Sequence, residues 1–98
     1  MEMDKEIYLS GLYDYYCELL TDKQKDYFEN YYFNNLSLGE IAENSNTSRN
    51  AIHKQIKDTE NKLISFEDKL GLYRKGLEIM EIIKDFDIEI KNQIEELV

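Results

Sequence analysis

Apolar and aromatic residues recur along this chain at intervals of three and four, the spacing that gathers them on one face of a helix. Tyr8, Leu12, Tyr15 and Leu19 mark a first helix over residues 5–20 and set its buried face. Tyr27, Phe28, Tyr31 and Tyr32 give a second helix a broad apolar face that ends near Phe33, where Asn34 and Asn35 tolerate the left-handed backbone that closes helices. The segment LGEIAEN predicts a short third helix, halted by SNTS, four small polar residues suited to a turn. A fourth helix carries Ala51, Ile52, Ile56, Leu63, Phe66 and Leu70. With Thr59 added, Ile52, Ile56, Thr59, Leu63, Phe66 and Leu70 advance by alternating steps of four and three. That heptad seam predicts one helix from about 48 to 69, roughly 30 Å long at ~1.5 Å per residue.

The polar positions between these runs supply the starts. Thr21 with Gln24, and Ser37 with Glu40, each have the spacing of a capping box, and Ser48 is a good cap for the fourth helix. Gly71 is expected to interrupt or bend the chain. Beyond it, Ile79, Ile83, Phe86, Ile90, Ile94 and Leu97 form one stripe, widened by Ile82 and Ile88, on a last helix of about 72–97. The expected organisation is a helix-turn-helix domain over 1–71 and a C-terminal helix over 72–98 that packs or dimerises.

Composition agrees with an all-α fold: 98 residues, no Pro, four Gly and 42% hydrophobic residues describe one helical domain with a modest core. Net charge changes the picture more. At −9 the chain is a poor general binder of polyanions. Its distribution is uneven, however. Residues 1–45 hold ten acids and three bases, and residues 58–98 hold eleven and six. Between them NTSRNAIHKQIK holds Arg49, Lys54 and Lys57 with no acid. A basic reading surface is favoured there over a patch that only neutralises acidic neighbours.

Candidate chemistry is sparse elsewhere. Cys17 alone forms no internal disulfide and reads as a small buried hydrophobe. One histidine, one cysteine and no glycine-rich loop point away from an enzyme, and no cofactor or metal is expected. The N-terminus MEMDKEIYL resembles neither a signal peptide nor a membrane anchor, giving a cytoplasmic expectation without membrane insertion. The eight tyrosines are set at core spacing more than at stacking positions for single-stranded bases.

The stretch LSLGEIAENSNTSRNAIHKQI has the arrangement a helix-turn-helix requires. Ala42 is small where two helices touch. Ile41 points inward from the first helix, and Ala51, Ile52 and Ile56 from the second. Ser48 satisfies orphan amides, leaving Arg49, Asn50, His53 and Lys54 outward, with Lys57 a turn further on. These six, Ser48, Arg49, Asn50, His53, Lys54 and Lys57, are the candidate nucleic-acid contacts; for His53 an idle surface position is an equal alternative.

The stretch LTDKQKDYFENYYFNNLSLGEIAENSNTSRNAIHKQI resembles the fourth conserved region of bacterial sigma factors. From LYDYYCELLTDKQ through the recognition helix to ISFEDKLGL, the chain resembles more closely the YlxM-like family of small helix-turn-helix proteins. The turn departs from the family pattern, with Ser45, Asn46 and Thr47 where an apolar residue, Gly and Val or Ile are usual. Asn46 can take the left-handed conformation that Gly supplies, but Ser45 and Thr47 bury less apolar surface. The resemblance implies a role in or around the signal recognition particle pathway. Two functions stay open: a regulator binding DNA or structured RNA, and a protein-interaction module of that pathway whose acidic surface meets basic partners. The C-terminal stripe either folds back or pairs two copies. A homodimer through Ile79, Ile83, Phe86, Ile90 and Ile94 is favoured, because two apolar seams exceed what one small core needs.

Overall fold

A computed structural model describes residues 2–98, with side chains from residue 4 onward. All regular structure among the described residues is helical: α1 (Glu2–Tyr16), a 3-10 turn (Cys17–Leu19), α2 (Asp22–Tyr32), α3 (Leu38–Asn44), α4 (Arg49–Leu70), α5 (Leu72–Ile83) and α6 (Ile88–Glu95).

Local chemistry sets the starts. Both capping boxes form: Thr21 Oγ1 accepts from Gln24 N at 3.1 Å while Gln24 accepts from Thr21 N at 3.0 Å, and Ser37 with Glu40 repeats both distances. The bond from the Ser37 backbone, reinforced by its hydroxyl, holds the exposed Glu40 carboxyl below the usual glutamate range. Asn35 and Asn46 both take positive φ, at 58° and 54°, closing α2 and turning the chain between α3 and α4.

The helix α4 is the spine, with α1, α2 and α3 packed against it. Its inward residues serve two adjoining clusters. Toward α3, Ile52 and Ile56 meet Ile41, Ala42 and Tyr27, so the turn and its two helices have a core of their own. Further along, Leu63 joins Leu9, Leu12, Tyr13, Tyr16, Leu20 and Phe28. Tyr13 stacks on Phe28 with centroids 4.6 Å apart and rings within 2° of parallel.

Several expectations are corrected. The buried face of α1 is Leu9, Leu12, Tyr13 and Tyr16, continued by Leu20 after the 3-10 turn, whereas Leu19 is 54% exposed and Tyr8 36%. The helix has two partners, and Tyr8 and Tyr15 lie toward the second, with ring centroids 5.5 and 6.2 Å from Tyr73 of α5. Tyr31 is exposed and Cys17 only half-buried. The seam of α4 is covered through Leu63; Phe66 is half-buried and Leu70 exposed, because the chain turns away at Gly71. Gly71 adopts φ 63°, a left-handed conformation that ends α4 and starts α5.

The expected single helix over 72–97 is two helices. Lys84 to Asp87 form a turn, and Asp87 restarts the helix by accepting from Glu89 N at 2.8 Å. The apolar stripe from Ile79 to Leu97 is therefore divided between α5 and α6. Helix α5 is held against α1 by a reciprocal fit: the Tyr73 ring lies over Gly11 and the Tyr15 hydroxyl over Gly76, each within the space a Cβ would occupy. Ile83 is buried within the chain, but Ile82, Phe86, Ile88 and Ile90 are exposed.

Candidate nucleic-acid interface

The interface candidate is built on the start of α4. Ser48 is extended, and its hydroxyl accepts from Ala51 N at 3.1 Å. This leaves further amides of the first turn facing solvent, with no acid among the turn's residues to oppose the helix dipole. The turn that aims α4 is tied down by Thr47 N donating to Ala42 O at 3.0 Å and Ser45 N donating to Ile41 O at 3.0 Å. Buried Ala42 and half-buried Ala51 let α3 and α4 approach.

All six candidate residues are exposed: Ser48, Arg49, Asn50, His53, Lys54 and Lys57. The five after the cap lie on one exposed side of α4, flanking the stripe that buries Ile52 and Ile56. Arg49 runs beside Gly39 of α3, where a Cβ would meet its stem at an ordinary contact distance of 3.8 Å. The positive charge is less free than its count suggests. Lys54 Nζ lies 2.9 Å from Asp58 Oδ2, and Lys57 Nζ lies 3.6 Å from Glu60 Oε1. Among the described residues no carboxylate stands within ion-pair distance of Arg49, which makes it the most available cation at the helix start.

Three residues outside the six candidates adjoin this surface. Lys5 of α1 reaches within 3.8 Å of Glu60, and Tyr32 of α2 donates to Glu60 Oε2 at 2.5 Å. Glu60 itself is almost buried, and burial followed by this bond pushes the Tyr32 hydroxyl well above the usual tyrosine range. Glu60 sits one turn beyond Lys57, where sequence reasoning counts one more solvated acid; only its proximity to Thr59 on the seam hinted otherwise.

A second buried acid, Glu67, is also central. Its Oε1 accepts from the Tyr16 hydroxyl at 2.6 Å and from Tyr73 N at 3.1 Å, and its Oε2 accepts from Arg74 N at 3.1 Å. Tyr16 in turn accepts from Leu72 N at 3.0 Å. The first amides of α5, which Gly71 has no side chain to cap, are thus capped from α4 and α1. Burial alone would raise the Glu67 carboxyl, but these bonds and nearby Arg74 outweigh it and hold the group below its ordinary value. Among the described residues, no three of His, Cys, Asp and Glu gather closely enough to hold a metal ion. None of the described helices is long and apolar enough to cross a membrane.

The sequence matches, over residues 3–98, the model of the UPF0122 family, described as "Putative helix-turn-helix protein, YlxM / p13 like". The chain belongs to the UPF0122 family. Among UPF0122 relatives, a protein of Thermoanaerobacter sp. (strain X514) is 42% identical over 106 aligned residues, spanning 96% of this chain and 91% of its own length. One from Malacoplasma penetrans is 48% identical over 95 residues, spanning 91% and 89%. A third, from Geobacillus kaustophilus, is 44% identical over 87 residues, spanning 86% and 79%. The UPF0122 match extends through α5 and α6, so the C-terminal extension is part of the family's pattern along with the helix-turn-helix.

Proposed function

We propose that this UPF0122 protein is a regulatory, cytoplasmic nucleic-acid-binding protein that sets the first half of α4 against DNA or structured RNA. The observation that supports this most is the start of α4: an acid-free first turn, an available Arg49, and Asn50 and His53 beside it on the exposed face. Ser48 anchors that turn, Lys54 and Lys57 contact phosphates, and Arg49 or Asn50 reaches base edges. The two lysines are shared with carboxylates, so affinity is modest and strongly salt-dependent.

Fluorescence anisotropy against labelled duplex DNA and an RNA hairpin, titrated at several salt concentrations, tests this reading. Arg49→Ala is expected to weaken binding by roughly 1–3 kcal/mol if it reads a base. Asp58→Asn frees Lys54; it is expected to tighten binding about two- to fivefold and to steepen the salt slope by nearly one unit. Unchanged affinity in both variants would sink the proposal.

The second reading is a protein-interaction module of the signal recognition particle pathway, and the acidic, apolar C-terminal extension favours it. Ile82 is 71% exposed, Ile88 68% and Phe86 51%, more apolar surface than a small monomer usually leaves open. We further propose that this stripe pairs two copies, through Ile79, Phe86, Ile90 and Ile94 with Ile83 supporting them from beneath. Phe86→Asp with Ile90→Asp is the suitable test, since Ile83 is buried within one chain and its loss would confound folding with assembly. Sedimentation is expected to show half the wild-type mass for this double variant. A monomeric wild type at high micromolar concentration would refute the pairing.

A further inference from the structure

A groove of about 260 Å³ opens beside the candidate interface, between α1, α2, the start of α3 and α4. It shares His53 and Lys57 with that interface. Leu38 and Ile56 give it apolar lining, and the half-exposed Tyr31 forms an aromatic wall, set edge-on to Tyr32 with centroids 5.1 Å apart. Its volume falls below the ~300–1,000 Å³ of pockets for drug-sized ligands and suits a single flat ring system.

The chemistry of its floor is specific. The Glu60 side chain is 7% exposed. One oxygen, Oε2, is satisfied by the Tyr32 hydroxyl at 2.5 Å. The other, Oε1, has only Lys57 at 3.6 Å and Lys5 at 3.8 Å, ion-pair distances longer than a hydrogen bond. Because no buried side-chain oxygen among the described residues lacks a hydrogen-bond partner, this oxygen is open to the groove, where an entering donor can reach it. Both lysines are about half exposed and can turn outward to phosphates without leaving the groove's rim. Glu6 on the α1 side keeps a phosphate backbone toward the Lys57 side, which is the side continuous with α4's exposed face.

We propose that this groove takes one unpaired base of a structured RNA that carries an exocyclic amine (adenine, cytosine or guanine), the amine donating to Glu60 Oε1 and the ring stacking on Tyr31. The proposal rests on the nucleic-acid reading of α4 and adds the kind of target. A paired base has neither face nor edge free for such a groove, whereas RNA bulges and loops present unstacked bases that proteins take onto aromatic side chains. Uracil lacks that amine; its one Watson–Crick donor, N3–H, is flanked by two carbonyl oxygens that disfavour close approach to the Glu60 carboxylate.

The probes are RNA hairpins identical except for one bulged nucleotide (adenine, cytosine, uracil or none), with a DNA duplex of matching sequence, read by anisotropy on the full chain. Hairpins with a bulged adenine or cytosine are expected to bind about tenfold more tightly than the hairpin without a bulge, and the uracil bulge to gain little. Tyr31→Ala, at an exposed position, is expected to lose that tenfold while leaving the fully paired hairpin unaffected, a factor at the low end of what one stacked base contributes. Glu60→Gln is expected to erase the adenine-over-uracil preference; Lys5→Ala, which leaves the Tyr32 bond intact, is expected to lose about threefold on bulged hairpins. Equal binding of all four hairpins, or a Tyr31→Ala variant that binds the adenine bulge like wild type, would overturn the groove. If Arg49→Ala weakens every probe in that experiment, the reading of α4 survives the groove's failure; if it weakens none, both fall.

Discussion

Replacing Glu67 by alanine is expected to lower the midpoint of thermal unfolding by roughly 10–25 °C, the largest stability effect of any single exposed or buried acid in this chain. The variant strands the Tyr16 hydroxyl and the Tyr73 and Arg74 amides together, all of which the one carboxylate now satisfies. Loss of a helix cap costs about 0.5–2 kcal/mol, and an unsatisfied buried hydroxyl about 1–3 kcal/mol. Together they come to roughly 2–4 kcal/mol against a total of about 5–15 kcal/mol for a typical domain. The damage should be greatest at the elbow, where α5 leaves α4 and docks on α1. Glu67→Gln keeps one acceptor oxygen and is expected to lose less.

The same carboxylate gives a pH signature. Its folded-state value lies below the ordinary one near 4.5, so it binds its proton less readily folded than unfolded. Its contribution is therefore complete above pH 4.5 and is lost as pH falls through the folded value. Wild type should lose stability below about pH 4.5 more steeply than Glu67→Gln. Glu40, also held low, titrates in both proteins and cancels in the difference. Thermal melts of both proteins from pH 7 to 3 measure this. Parallel curves would mean that Glu67 is not the charged cap described here.

The second large effect concerns binding. Arg49→Ala, Lys54→Ala and Lys57→Ala combined are expected to weaken nucleic-acid binding a hundredfold or more, to below detection at physiological salt. Arg49 supplies most of it, roughly 1–3 kcal/mol, and the lysines supply the backbone contacts that give the salt dependence. The rest of the chain carries a large excess of acid and offers no compensating surface. All three side chains are exposed, so the fold should persist, although Lys57→Ala removes one of the two lysines beside nearly buried Glu60 and is expected to cost about 1 kcal/mol of stability. Helical circular dichroism checks that point. A folded triple variant that keeps wild-type affinity for its target would move the function to the C-terminal face and the interaction-module reading.

The helix-turn-helix was legible in the sequence because each of its signals is local. Thr21 with Gln24, Ser37 with Glu40, and Ser48 each act over three residues. Asn46 needs only its own backbone to turn left-handed. Ile41, Ala42, Ile52 and Ile56 follow from the helical period once those starts are placed. The register of α1 was misread by one position, because an amphipathic helix with two partners has apolar residues at the edge of its core face as well as on it. Tyr8 and Tyr15 belong to that edge. The break at Lys84–Asp87 escaped periodicity because the isoleucines on either side keep helical spacing, while the cap that restarts α6 is a single aspartate among many acids.

What the sequence determined by itself was the class of fold, the placement of α2, α3 and α4, and the grouping of Arg49, Asn50, His53, Lys54 and Lys57 on one face. All of these depend on contacts within a few residues of the chain. Tertiary structure alone decided which acids are buried. Lys5, Tyr32 and Glu60 meet across separations of 28 residues and more, and Tyr16, Glu67 and Leu72 across 51 and 56. A carboxylate's environment depends on which helices surround it, and composition counts it as one more negative charge. That is why Glu60 and Glu67, two of the chain's 21 acids, looked like solvated surface until the helices were assembled around them.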